Sequence, residues 1–220
     1  MEFETVLRGR RSVRAYTPEP VSDELIQAIL DEAHWAPSWR NTQAWCVWVI
    51  AGAALERFKD RFKRAVAENE PPAPDFAATT DWPAACSART ASLMAARAAS
   101  LVAAGEDSDP AAALQRTANL FGAPCLLVFG YEDCLAEGYA AFDTGMLVQS
   151  VCLAAYDRGL GTCIVATLAR YADLLRELLP DTDGKRFVVC MTLGHSDPAA
   201  AANRFQRERA GLDELVNWVR

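Results

Sequence analysis

Arg10-Arg11-Ser12-Val13-Arg14 gathers three guanidinium groups and a hydroxyl within five residues of a chain whose formal net charge is −7. Guanidinium forks bind phosphate and carboxylate in bidentate geometry, and a serine hydroxyl or free backbone N–H can fill the remaining acceptor positions. The stretch reads either as an anion grip or as a solvated basic turn after a first helix. Far along the chain, Arg207-Glu208-Arg209 supplies a second cationic pair that can close on the same anion.

Outward from this stretch, the pattern predicts alternating helices and strands. A short helix over Phe3–Gly9 delivers the arginines, and Pro18 and Pro20 stiffen the linker that follows. Ser22 is placed to cap a helix with Asp23 and Glu24 in its first turn, Leu25, Ile26, Ile29, Leu30 and Ala33 as its apolar stripe, and Pro37 as its stop. Residues 36–45 form a polar loop. Trp45–Ala51 reads as a buried strand and is followed by a helix over 55–68. Residues 70–83 hold Pro71, Pro72, Pro74 and Pro83 and read as an irregular lid, binding loop or surface excursion. Helical spacing returns over 85–103 and 111–120, and 124–131 is a second buried strand. The helix over 140–158 is apolar almost all round, which puts it at the centre or at a subunit interface, with Gly159 as its stop. A strand over 162–166 follows, with Thr167 expected to cap a helix running to Leu179, and 187–193 is the last core strand. The C-terminal arm, 196–220, breaks pattern but keeps Leu212, Leu215, Val216 and Trp218, so it should lie on its own core or on a partner. This predicts one domain, 1–220, with a mixed α+β or α/β layered fold.

Composition excludes several classes. An acidic chain with lysine only at Lys59, Lys63 and Lys185 lacks the broad basic face of a nucleic-acid binder. The seven cysteines are odd in number, none with C-x-x-C spacing, and with only His34 and His195 beside them a metal site is unsupported. Buried reduced thiols, no signal peptide and no membrane-spanning run point to a cytoplasmic protein that does not enter a membrane. There is no G-x-S-x-G elbow, G-x-G-x-x-G turn or Walker A sequence. An anion grip without a catalytic constellation implies a bound cofactor that carries the chemistry.

The ordered motifs resemble the FMN-dependent nitroreductase family: the arginine stretch, then Ala36-Pro37-Ser38 with Asn41, Gln43 and Trp45, then Gly159-Leu160-Gly161-Thr162-Cys163, and finally Gly194 with Arg207 and Arg209. The resemblance spans nearly the whole chain and is weakest between Glu70 and Ala118. It implies an α+β fold, with a central mixed β-sheet flanked by helices, in an intertwined homodimer with two FMN sites at its interface. By the resemblance, Arg10, Ser12 and Arg14 hold the phosphate and ribityl chain, Arg11 contributes through its backbone, and Arg207 and Arg209 complete the grip. Pro37, Ser38 and Asn41 reach the flavin of the other subunit, and Val165, Ala166 and Thr167 pass flavin N5. Arg116 and Asn119 neighbour the pyrimidine, while Trp39 and Arg40 stand at the mouth of the substrate site.

The implied activity is two-electron transfer by a ping-pong mechanism from NADH or NADPH to a small aromatic acceptor, nitroaromatic or quinone-like. Related alternatives are ene reduction, dehalogenation, flavin fragmentation, or flavin binding without catalysis. Ala44, where many members carry proline, and Ala166-Thr167, where some carry an acidic residue and glycine, leave acceptor preference open.

Overall fold

The structure is a computed structural model describing residues 1–220. Helix α1 (Phe3–Gly9) leads through the extended arginine segment to α2 (Asp23–Ala33), whose cap is Ser22: its Oγ accepts from Leu25 N. Strand β1 (Trp45–Ala51) continues into α3 (Gly52–Ala67), then α4 (Ala84–Ala103) and α5 (Pro110–Ala118). Strand β2 (Cys125–Glu132) enters α6 (Glu137–Asp157), which ends as expected at Gly159, with φ of 78°. Strand β3 (Gly161–Val165), α7 (Ala166–Ala169), α8 (Ala172–Leu178), β4 (Lys185–Gly194), α9 (Ala201–Arg204) and α10 (Leu212–Leu215) complete the chain.

The four strands form one sheet in the order β1-β2-β4-β3, and every ladder is antiparallel. The mixed character expected of the sheet is reduced to one parallel bridge, Ser12 to Thr162, which sets the arginine segment beside β3. Central β2 is buried along its length, and its side chains alternate between two cores. Leu126 and Val128 join Phe58, Phe62, Leu168 and Leu175 on the face covered by α3, α7 and α8. Leu127 and Phe129 join Ile26, Ile29, Leu147 and Val151 on the face covered by α2 and α6. Each fully buried aliphatic side chain of this kind contributes roughly 1.5–3 kcal/mol relative to exposure, so the sheet is the stiff frame to which the loops are attached.

One further expectation is corrected, and two that were left open are narrowed. Thr167 caps nothing: α7 begins one residue earlier, is four residues long, and has Val165 at its N-cap without a side-chain cap bond. The helix then breaks at Tyr171, whose backbone bridges Ala73 of the proline-rich segment, and restarts as α8. The 70–83 segment is irregular but pinned: the Asp75 carboxylate accepts from Phe187 N at 2.8 Å and from Arg176 Nη2 at 2.6 Å. In the arm, Leu212, Leu215 and Trp218 are exposed, so its apolar residues do not lie on their own core.

Candidate functional site

The arginine segment is fixed by its partners on both sides. Val13 N donates to Thr162 O at 2.9 Å, and Gly161 makes that approach possible. A Cβ at Gly161 would stand 2.5 Å from Val13 Cγ2. On the other side is Asn203, buried within α9. Its Oδ1 accepts from Arg14 N at 2.7 Å, while Nδ2 donates to Ala15 O at 2.7 Å and to Asp197 O at 2.9 Å. The Arg11 guanidinium donates to Asn203 O and Phe205 O, both at 2.8 Å. Arg11 thus holds the tail in place, with both terminal nitrogens of its guanidinium engaged there.

The remaining arginines of the site have no counter-ion. Six others in the chain pair with carboxylates: Arg8, Arg61, Arg89, Arg158, Arg176 and Arg186. Arg10, Arg14, Arg97, Arg116, Arg207 and Arg209 pair with none; nor do Arg40, Arg57, Arg64, Arg170, Arg204 and Arg220, but those six are all exposed to solvent. They form two groups. Arg207 lies near Arg10, Arg209 and Arg11; burial first, then repulsion from these three, holds its pKa below the usual arginine value. Its Nη2 donates to Arg8 O at 2.6 Å, which tethers the tail to α1. A cluster of like charges raises the energy of the free protein, and a bound dianion relieves it.

The second group faces a cavity of about 440 Å³, within the usual range for a small-molecule site. Arg14, Arg97 and Arg116 line it, with Ile164, Val165, Ala166 and Thr167 from the β3–α7 junction and Leu101, Leu114, Phe121 and Phe205 among its apolar walls. No Asp, Glu or His lines it, and neither His34 nor His195 is present. Cys163 does line it, but burial raises its thiol pKa despite nearby Arg14, so it stays protonated and weakly nucleophilic at neutral pH.

The sequence-expected residues therefore separate. Arg14, Arg116, Val165, Ala166 and Thr167 meet at this cavity. Arg10 and Arg11 line a smaller neighbouring one of about 260 Å³ with Tyr156 and Thr162. Ser12 lies between them, its carbonyl 3.4 Å from Arg14 Nη1. Arg209 is exposed, donating only to Glu208 O. Asn119 is an exposed α5 C-cap and does not reach the cavity. Nor does any residue of 70–83, so within one chain that segment walls no part of it.

Pro37, Ser38, Trp39, Arg40 and Asn41 lie elsewhere, against α6. Trp39 N donates at 2.9 Å to buried Asp143 of α6, Trp39 stacks on Tyr139, and the Arg40 guanidinium covers the Trp39 ring at 4.9 Å. Gln43 N donates to Ser38 Oγ at 3.0 Å. Arg40, Asn41 and Gln43 all have positive φ, at 50°, 58° and 46°. Left-handed backbone costs about 1–2 kcal/mol per non-glycine residue, and it persists where neighbouring contacts over-determine it.

Residues 7–195 match the family model described as the nitroreductase family. The chain belongs to the nitroreductase family. It is 32% identical to a 4-nitrobenzoate reductase of Pseudomonas putida, over 100% of this chain and 97% of that one. It is 31% identical to a nitrobenzene nitroreductase of Ectopseudomonas oleovorans, over 99% and 96% of the two chains. Its fold superposes on the crystal structure of the FMN-dependent nitroreductase NfnB from Mycobacterium smegmatis in complex with NADPH, with a TM-score of 0.89 at 30% identity, covering 99% and 97% of the chains. In this nitroreductase-family chain, sequence reasoning missed Asn203 and Arg97. Asn203 gave no signal among the alanines of 199–202. Arg97 did: it is the only charged side chain between Arg89 and Glu106.

Proposed function

We propose that the protein is an FMN-dependent oxidoreductase that transfers two electrons from NADPH or NADH to nitroaromatic acceptors. The observation that carries this reading is the set of unpaired guanidinium groups at two adjoining places, one beside a cavity with apolar walls. A dianionic phosphate attached to a flat, mostly apolar ring system matches both. FMN, when bound, accepts two electrons from the nicotinamide and gives them up to the acceptor. Arg10, Arg207 and Arg209, with the Ser12 hydroxyl, would hold the phosphate end. Arg14 and Arg116 would supply positive charge at the ring, and Val165, Ala166 and Thr167 would border it through their backbone. The apolar walls at Leu101, Leu114, Phe121 and Phe205 exclude water from the bound ring. No carboxyl or imidazole group of the same chain lines the cavity, and in this reading solvent supplies the protons of the reduction.

The site as read is shared between two chains. The Pro37–Asn41 loop does not touch its own chain's cavity, and Tyr139, Phe142, Leu212, Leu215 and Trp218 leave apolar surface uncovered. A homodimer in which each loop, with Trp39 and Arg40, reaches the partner's flavin accounts for both. No helix is long and apolar enough to cross a membrane, and all seven cysteines are free, as a reducing cytoplasm would keep them.

One open face for both nicotinamide and acceptor predicts ping-pong kinetics. Double-reciprocal plots of NADPH oxidation against nitrobenzene, and against a quinone, should be parallel lines. Intersecting lines would point to a separate nicotinamide site, and oxidation that does not depend on an added acceptor would contradict the reading itself.

A further inference from the structure

The cavity holds more positive charge than its expected occupant needs. A flavin mononucleotide carries two charges on its phosphate and at most one on its reduced ring. Arg10, Arg207 and Arg209, which lie outside the cavity, are read above as the phosphate grip, and inside it Arg14 and Arg116 already exceed the charge of the ring. Arg97 is left over. It projects from α4, a helix whose other residues from 90 to 103 are all uncharged, and it has no carboxylate partner. Its one side-chain contact is a weak 3.9 Å approach to Met94 Sδ. It is half-buried, lines the cavity together with Arg14 and Arg116, and is repelled by both. Keeping such a group partly desolvated and unpaired is costly unless a ligand supplies the negative charge. The side chains around it, Met94, Leu101 and Phe121, are apolar, while Ser100 and Ser108 add hydroxyl donors. That combination suits an aromatic ring bearing a carboxylate better than a neutral ring.

Building on the oxidoreductase reading above, we propose that Arg97 is the anion subsite for the acceptor, making nitroaromatic carboxylates the preferred substrate class. The guanidinium fork would hold the carboxylate, with the ring packed against the apolar wall and the nitro group directed toward the cavity floor at Ile164–Thr167. Neutral nitroarenes would enter without that contact.

The test compares charged and neutral ring isosteres in the FMN-loaded protein. Benzoate, which cannot be reduced, and benzamide are titrated while flavin absorbance is followed, and kcat/KM is measured for 4-nitrobenzoate and 4-nitrobenzamide. In Arg97→Met the preference for the charged member over the neutral one should fall at least tenfold in both measurements, because a charge-assisted hydrogen bond is lost. Arg97→Lys should retain part of the preference, since it keeps the charge but not the fork. Equal losses for charged and neutral ligands would overturn the proposal, as would a weakened FMN affinity. An effect on NADPH but not on NADH would assign Arg97 to the nicotinamide 2′-phosphate and also overturn it. Failure of the wild-type protein to reduce any nitroarene would instead contradict the underlying reading, so the two failures are distinguishable.

Discussion

Asn203 uses both ends of its carboxamide on the arginine segment and the turn behind it, through bonds to Arg14 N, Ala15 O and Asp197 O. Replacing it by leucine removes these bonds and leaves buried backbone groups unpaired, at about 1–3 kcal/mol each. Taking a net loss of about 3 kcal/mol, and about 2–4 °C per kcal/mol for a domain of this size, Asn203→Leu should lower Tm by roughly 6–12 °C. It should also weaken FMN binding, because Arg14 loses its anchor. A melting point within about 2 °C of wild type, with unchanged FMN affinity, would show that the segment holds its shape without the clamp. At this scale the sequence was informative where charge was concentrated and silent where an uncharged residue works through geometry. The grip at Arg10–Arg14 stood out against an acidic chain. Asn203 did not, because nothing local distinguishes a buried clamp from a solvated asparagine. Thr167 misled for the opposite reason. Its hydroxyl suits a cap, but β3 ends at Val165 and the helix starts before it.

The strands were legible as elements because each is an apolar run bounded by turn residues. Trp45–Ala51 matches its predicted bounds, though it proves a half-buried edge strand rather than a buried one, and the other three agree to within a residue or two. The break between α7 and α8 was not, since residues 167–179 keep helical spacing and the bridge made at the break is to Ala73, far away in sequence. Loop and grip are also elements, and their separation is itself testable. In one chain the loop at 37–43 is tied to α6 through Asp143, while the grip is tied to β3 and α9. If each site combines one chain's grip with the other's loop, two defective variants should complement. Arg10→Ala with Ser12→Ala destroys one half, and Ser38→Ala with Asn41→Ala destroys the other. Unfolded and refolded together in equal amounts, about half the dimers are mixed, and each has one site with both halves intact. Recovery of about a quarter of wild-type activity is expected. Recovery near zero, with mixed dimers verified by mass, would mean that loop and grip serve the same chain's site.

For the whole molecule, the α+β class and the order of the family motifs could be read from the sequence, but the strand order could not. Helices between strands usually signal parallel crossovers, and here every ladder is antiparallel. Register depends on which ends the long helices return the chain to, and no single segment encodes that. The charge distribution was readable only in part: net charge −7 forbids a broad basic face, yet the structure sets Arg14, Arg97 and Arg116 around one cavity and Arg207 near Arg10, Arg11 and Arg209. The central claim is that this charge holds a flavin phosphate so that electrons can pass from a nicotinamide to a nitroarene. Its most direct test is an anaerobic absorbance titration of the purified protein supplied with FMN. The protein should show a bound flavin spectrum that bleaches with one equivalent of NADPH and returns when nitrobenzene is added. A protein that fails to retain FMN, or a bound flavin that neither bleaches nor recovers, would contradict it.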